Sequence, residues 1–331
     1  MTEVIPGIHQ LKLPMPQGPL KYINAYLVQG DNGYLLVDTG WNTDETLDSL
    51  KKQLAEIGIN IKDISQIVLT HIHPDHYGLV GKLKQLSRAE IALHHLEKDL
   101  IESRYINTDN LLQQTSQLLH ANGVPPAESS ELQTASMGMI KFIAPTLPDV
   151  TFRGDETIST GIFTFQILWT PGHSPGHICL YEPTKKALLS GDHILPTISP
   201  HIGLHPQSSD NPLGDYINSL NTVKQLDVKL ILPGHEDPFT ELAARVEKLI
   251  QHHKQRNSKI LALLGAKPKT AYQISAGMTW LSDIDGVSWQ NLSSWNKRLA
   301  ISETMAHLES MRIGGKVDRF FQNGTIYYQR T

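Results

Sequence analysis

Four side chains able to bind a metal occupy six positions of the segment Thr70-His71-Ile72-His73-Pro74-Asp75-His76: His71, His73, Asp75 and His76. Neutral imidazole suits zinc, iron, nickel and copper, while carboxylate favours harder ions. His71 and His73 are two apart, so in an extended segment they face the same way. A lone His-X-His pair is most often an ordinary surface feature. With Asp75 and His76 added, metal binding becomes the better reading.

Three later segments have the same character. A Pro/Gly turn carries His173 and His177 in Thr170-Pro171-Gly172-His173-Ser174-Pro175-Gly176-His177. The other two are Ser190-Gly191-Asp192-His193 and Leu232-Pro233-Gly234-His235-Glu236. Each follows an apolar run (residues 163–168, 187–189 and 229–232), just as Ile67-Val68-Leu69 precedes the first segment. Such runs read as buried strands. The loops leaving the carboxyl ends of strands are where α/β folds often place their chemistry. Four strand ends in order, each delivering a metal-competent side chain, describe one site on one edge of a sandwich.

The set His71, His73, Asp75, His76, His173, Asp192 and His235 resembles that of the metallo-β-lactamase-fold hydrolases, in the glyoxalase II-like branch, across about residues 3–250. The resemblance implies an α/β fold, a four-layer αββα sandwich with a two-metal site. By position, His71, His73 and His173 would hold the first ion, and Asp75, His76 and His235 the second. Asp192 would bridge them, and Asp75 or Asp192 could steer a proton. Two zinc ions per chain are expected, with iron or manganese as alternatives. Asp38, in Leu36-Val37-Asp38-Thr39-Gly40, matches an early strand-end aspartate of the family that supports ligands rather than binding. His177 also matches and is read as supporting its loop.

The chain departs from some relatives. The commonest zinc β-lactamases use a cysteine ligand and lack the bridging carboxylate. The single cysteine here, Cys179, lies within a strand-like apolar run and reads as a small core residue. β-Lactam hydrolysis is therefore not expected. N-acyl homoserine lactonases often place a tyrosine soon after the bridging aspartate, and residues 193–200 contain none. The expected activity is hydrolysis of a small acyl compound, with a thioester first because a thiolate leaves more readily than an amine. A glyoxalase II-like activity or an acyl-CoA or acyl-carrier thioesterase would fit. A lactonase or other esterase, a metal-dependent endoribonuclease and a mono-iron persulfide dioxygenase are the alternatives.

The elements that must position these residues fall into three parts. A chain of 331 residues exceeds one average domain, and 40 % apolar content suffices for a buried core at this size. Residues 1–250 read as the catalytic domain, with a helix over 44–57 that stops at Gly58. Within it, residues 96–147 show helical spacing interrupted by Gly123-Val124-Pro125-Pro126. This helical insertion separates the second and third ligand groups. It reads either as an added packing layer or as a lid whose Met139 and Phe142 shape the substrate pocket.

Residues 251–331 read as a small winged-helix-like domain. Helices are expected over 258–264, 270–275 and 293–311, after one ending near His253. A terminal hairpin turns at Asn323-Gly324. This tail carries eleven Lys and Arg against five Asp and Glu, a net +6, whereas residues 1–250 carry 18 against 28, a net −10. Lys297 and Arg298 on the third helix are accompanied by Glu303 and Glu309. Packing or homodimer formation is therefore expected of the tail before nucleic-acid binding, with a basic wall for an anionic substrate group as a further reading. The segments carrying the metal motifs contain no Lys or Arg, which also disfavours a nucleic-acid groove. No run approaches the roughly 20 apolar residues that span a bilayer. A single cysteine and an amino terminus without a signal-like core fit a cytoplasmic location, with no membrane partner.

Overall fold

The computed structural model describes residues 1–16, 20–265, 267–280 and 287–331. The tail turn expected at 265–268 includes Ala266, which lies outside the described residues. Seven strands form the first sheet in chain order: β1 (Thr2–Ile5), β2 (Ile8–Pro14), β3 (Tyr22–Gly30), β4 (Gly33–Val37), β5 (Ile64–Val68), β6 (Glu90–His94) and β7 (Val150–Phe152). The first four pair antiparallel, and β4 to β7 run parallel. The second sheet comprises β8 (Thr157–Ser159), β9 (Thr164–Trp169), β10 (Ile178–Glu182), β11 (Ala187–Gly191) and β12 (Leu230–Pro233), in the order 12-11-10-9-8. Only β11 and β12 are parallel in it.

The two sheets pack face to face through Tyr26, Val37, Val68 and Phe152 on one side and Phe165, Ile167, Leu180 and Leu232 on the other. Alternation along β9 (Phe165 and Ile167 buried, Thr164 and Gln166 exposed) supplies that face, as a period of two requires. The outer face of the first sheet is covered by α1 (Asp44–Ala55), α2 (Pro74–Tyr77), α3 (Val80–Ser87) and α4 (His95–Tyr105). α1 begins at the Thr43 cap and is followed by Gly58 at φ +75°, the stop expected from its sequence.

The insertion adds α5 (Asp109–Ala121), α6 (Pro126–Thr134) and a 3₁₀ turn at Met137–Phe142. The outer face of the second sheet is covered by α7 (Pro212–Val223) and α8 (Leu242–Leu264). The tail is completed by α9 (Ala271–Ala276), α10 (Ser294–Ile313), β13 (Val317–Gln322) and β14 (Thr325–Arg330). β13 and β14 form the expected hairpin around Asn323-Gly324, both at positive φ.

Two features differ from the sequence reading. First, the helices expected to end near His253 and to begin at Ser258 are one 23-residue helix, α8. The intervening Lys254-Gln255-Arg256-Asn257 is polar but contains no Gly or Pro, so nothing breaks the backbone ladder there. α8 therefore runs through the 250/251 boundary, with Val246 and Leu249 in the catalytic layer and Ile260 and Leu264 in the tail core. Second, the insertion does not pack on the catalytic domain alone. Leu119, Val124 and Leu132 enter the same core as Ile274, Ile301 and Leu308 of the tail. Helical spacing announces an apolar face but not its partner.

The α10 helix is largely covered by its neighbours. Every residue from Ser294 to Arg312 is buried or half-buried, and only Ile313 is exposed. Lys297 faces Glu128 of the insertion at 3.7 Å. Arg298 donates to the Gln133 carbonyl and to Ser136 Oγ. The two cations noted on this third tail helix are thus turned toward the insertion.

Candidate metal centre

Five strand ends converge on one edge of the sandwich. Asp38 leaves β4, residues 70–76 leave β5, the 170–177 turn joins β9 to β10, Asp192 follows β11, and His235 follows β12. All seven sequence-derived residues meet there. Their ligand atoms form three groups, each within 4.8 Å: His71, His73 and His173; His71, His76 and Asp192; and Asp75, His76 and His235. Asp192 lies at the centre, with Oδ1 3.3 Å from His76 Nε2 and 3.5 Å from His235 Nε2, and Oδ2 3.6 Å from His173 Nε2. Asp75 Oδ2 is 3.1 Å from His235 Nε2. The His71 and His76 side chains are fully buried, whereas Asp75 and Asp192 keep 16 % and 11 % exposure. The site therefore opens to solvent over its carboxylates.

The donors fit divalent ions. His76 Nε2, His173 Nε2 and Asp192 Oδ1 are buried without a hydrogen-bond partner among the described residues, and all three point into the cluster. Buried polar atoms normally find partners, so three unpaired ones in a single site call for a ligand. With neutral imidazoles the site holds the carboxylates Asp38, Asp75 and Asp192, and uncompensated charge removed from water is costly.

Electrostatics divide the histidines. Burial, reinforced by neighbouring histidines, holds His71 and His73 well below the usual imidazole range. Burial also lowers His173. These three are neutral and ready to bind. Burial opposes charge on His76 and His235 as well, but it is outweighed by Asp192, with Asp38 and Asp75 adding at His76 and Asp75 at His235. His76 rises well above its ordinary value, and His235 rises to about 10. Cationic charge is thus favoured where the second group of ligands lies.

Supporting contacts orient the donors. Asp38 sits at φ +62° and accepts from the Thr70 amide (2.8 Å), the Thr70 hydroxyl and His76 Nδ1 (2.8 Å). His173 Nδ1 faces the His201 carbonyl at 2.8 Å, and His235 Nδ1 faces that of Tyr22 at 3.3 Å. His177 belongs to none of the three groups. It bonds Thr170 Oγ1 through Nδ1, and its Nε2 accepts the Asp192 amide at 3.2 Å. Gly234 is required for close approach: a Cβ there would stand 2.6 Å from Asp192 Oδ1 and 2.8 Å from His76 Cε1. Cys179 is buried in β10, its thiol pushed up to about 12 by burial, which makes it an inert core residue.

One supporting residue had no legible signal. Glu97 on α4 is fully buried and bridges two ligand loops, accepting from the Ile72 amide (3.0 Å) and the Gly176 amide (2.8 Å). In sequence it lies within Leu96-Glu97-Lys98-Asp99, which reads as a solvated helix face. Replacing Glu97 by Ala leaves both amides buried and unpaired and should lower metal affinity roughly 10- to 100-fold, as outer supports of metal ligands commonly do. Competition titration against a chromophoric chelator measures this, and an unchanged affinity would make Glu97 a packing residue only.

The profile of the metallo-beta-lactamase superfamily matches residues 18–235, spanning every ligand group. The chain belongs to that superfamily. It is 31 % identical to a metallo-beta-lactamase family protein of Thermus thermophilus of known crystal structure, with a TM-score of 0.84 over 99 % of this chain and 100 % of that one. It is 29 % identical over 309 residues to the protein named probable metallo-hydrolase YqjP of Bacillus subtilis, covering 92 % of each chain. It is 24 % identical to thioesterase pkgB of Emericella nidulans, over 90 % of this chain and 70 % of that one. The superfamily membership makes this a metallo-hydrolase fold with divalent-metal ligands at its sheet edge. No helix among the described residues is long and apolar enough to cross a membrane.

Proposed function

We propose that the chain is a binuclear metal-dependent hydrolase of a small acyl thioester, in the manner of the glyoxalase II-like branch. The observation that carries the reading is the pair of ligand groups, His71/His73/His173 and Asp75/His76/His235, with Asp192 between them. The donors are imidazole and carboxylate throughout, a set suited to zinc, with iron or manganese as alternatives. When bound, such ions polarise a carbonyl and lower the pKa of a water toward about 7. Asp192 and Asp75 hold their carboxylates ionised, since His235 and His76 outweigh the burial that opposes it, and both retain access to the mouth. Both are thereby anionic donors at the mouth, and either Asp75 or Asp192 could steer a proton there.

The resemblance to a thioesterase adds a leaving-group argument, because a thiolate departs without the protonation an amine needs. A single-iron oxidoreductase has little need of Asp75, His76 and His235 as ligands. An endoribonuclease would need an exposed cationic surface, and Lys297 and Arg298 of α10, the third helix of the winged-helix-like tail, are engaged by Glu128, Gln133 and Ser136 of the insertion. The tail serves instead as a brace joined to the insertion.

The test is a substrate panel on metal-loaded protein: acyl-CoA, acyl-glutathione, N-acetylcysteamine thioesters, a lactone series and RNA. Thioesters should give the highest kcat/KM. RNA cleavage, or lactone hydrolysis exceeding every thioester, would replace this reading. In the same panel Phe142→Ala is informative, because Phe142 lies edge-on to Trp41 at 5.6 Å near the β4 exit. A change of acyl-length preference exceeding the change in melting temperature would mark the insertion as part of the substrate pocket; parallel losses would mark it as packing.

A further inference from the structure

We infer that the tail helix α10 positions the metal ligand His173 through His201, with Ser302 and Glu303 as the positioning residues. The inference takes from the proposed function only that His173 is a ligand; it does not depend on the substrate. Residues 192–211 connect β11 to α7 without a helix or strand. Ordering so long a connection costs conformational entropy, which contacts from outside it must offset. Within it, the His201 carbonyl faces His173 Nδ1 at 2.8 Å. A neutral imidazole has one N–H, so donating from Nδ1 leaves Nε2 as the lone-pair atom. His173 Nε2 is buried, has no hydrogen-bond partner among the described residues and lies 3.6 Å from Asp192 Oδ2. The place of one carbonyl thus sets which nitrogen of His173 is offered to an ion and where its ring points.

That carbonyl is held from the tail. Leu204 donates its amide to the Ser302 carbonyl of α10 at 2.9 Å. The His201 ring meets the same helix turn, with Nε2 3.1 Å from Ser302 Oγ and Nδ1 3.8 Å from Glu303 Oε2. Glu303 Oε1 is in turn 3.2 Å from Arg256 Nε of α8, and the Arg256 guanidinium lies over the Trp280 ring at 4.6 Å. Glu303 is only 16 % exposed, and a carboxylate so placed is costly unless paired, as it is here. Between the anchored residues, Ile202 is buried in the layer formed by α7 and α8. Gly203 leaves no room for a side chain: a Cβ there would stand 2.5 Å from His201 Nε2 and 2.8 Å from Ser302 Oγ. Glu303, which in sequence only dilutes the positive charge of its helix, thereby acts on a metal ligand through a partner about a hundred residues away.

Ser302→Ala, Glu303→Gln and the double variant remove the side-chain anchors of His201 and keep the backbone bond to Leu204. Ile274→Val, in the tail core, controls for a general loss of tail stability. In a His235→Ala background, which keeps the His71/His73/His173 group, cobalt(II) is titrated into the full chain while its visible spectrum is recorded. S302A/E303Q should bind cobalt roughly tenfold more weakly and show an altered d–d band. Ile274→Val should change neither, even where its melting temperature falls as far. Imidazole nitrogen NMR of the metal-free protein provides a second readout, with the His173 signal assigned by its loss in His173→Gln. Wild type should show the Nδ1–H tautomer, and S302A/E303Q a mixture of both tautomers. Should the double variant not fold, Ser302→Ala alone is read in the same two ways. Wild-type cobalt affinity, spectrum and tautomer in the anchor variants would overturn the inference, as would changes matched by Ile274→Val. If wild type takes up no cobalt, the metal-centre reading fails, and the His173 tautomer still decides whether α10 positions that ring.

Discussion

Asp192→Asn should leave the fold intact and lower hydrolysis by roughly 10³-fold, the scale on which removal of a central charged group from a catalytic site acts. The substitution is nearly isosteric, and the Asp192 amide, which donates to His177 Nε2, is retained. What changes is the charge: one carboxylate oxygen lies within 3.5 Å of both His76 and His235, and the other is 3.6 Å from His173. Among the described residues, no other side chain reaches the ligands of both groups in this way. An amide cannot offset the repulsion between two cations held about 3.5–4 Å apart. Steady-state kinetics, with melting temperature and metal content measured on the same sample, decide the outcome. Full turnover by Asp192→Asn on every accepted substrate would remove Asp192 from the reaction.

Metal content gives the second large effect. Wild-type protein should hold about two divalent ions per chain, because three imidazoles of one group and the Asp75/His76/His235 set exceed what one tetrahedral ion uses. His76→Ala and His235→Ala should each reduce this to about one, by elemental analysis after dialysis. Loading should also release protons, since ligands must be deprotonated to bind. The sign follows from the directions already described. His71, His73 and His173 are lowered and release none near pH 7, whereas His76 and His235 are raised and must each give one up. Affinity of the second position should therefore fall as pH falls, more steeply than that of the first. Calorimetry in buffers of differing ionisation enthalpy should count about two protons per chain. Wild-type metal content in both alanine variants would eliminate the second position.

The ligands were legible because their signal is local. Each follows an apolar run and a Gly or Pro turn, so His71, His173, Asp192 and His235 declare both their chemistry and their place at a strand end. Asp38 and His177 were legible for the same reason, and the structure places both as hydrogen-bonded supports. The α1 stop, the α9 start at Thr270 and the terminal hairpin are likewise short-range features.

The residues that sequence reasoning did not find act across long separations. Glu97 spans the loops at Ile72 and Gly176 from a helix that looks solvated in sequence. The packing of α5 and α6 on the tail is another such case, because an apolar helix face is satisfied by whichever surface folding brings to it. By itself the sequence determined the metal-binding chemistry, its strand-end placement and the superfamily, all written in contiguous residues. Tertiary structure alone decided that Glu97 supports two ligand loops and that the insertion and the tail share one core, because such contacts depend on distances between residues far apart in the chain.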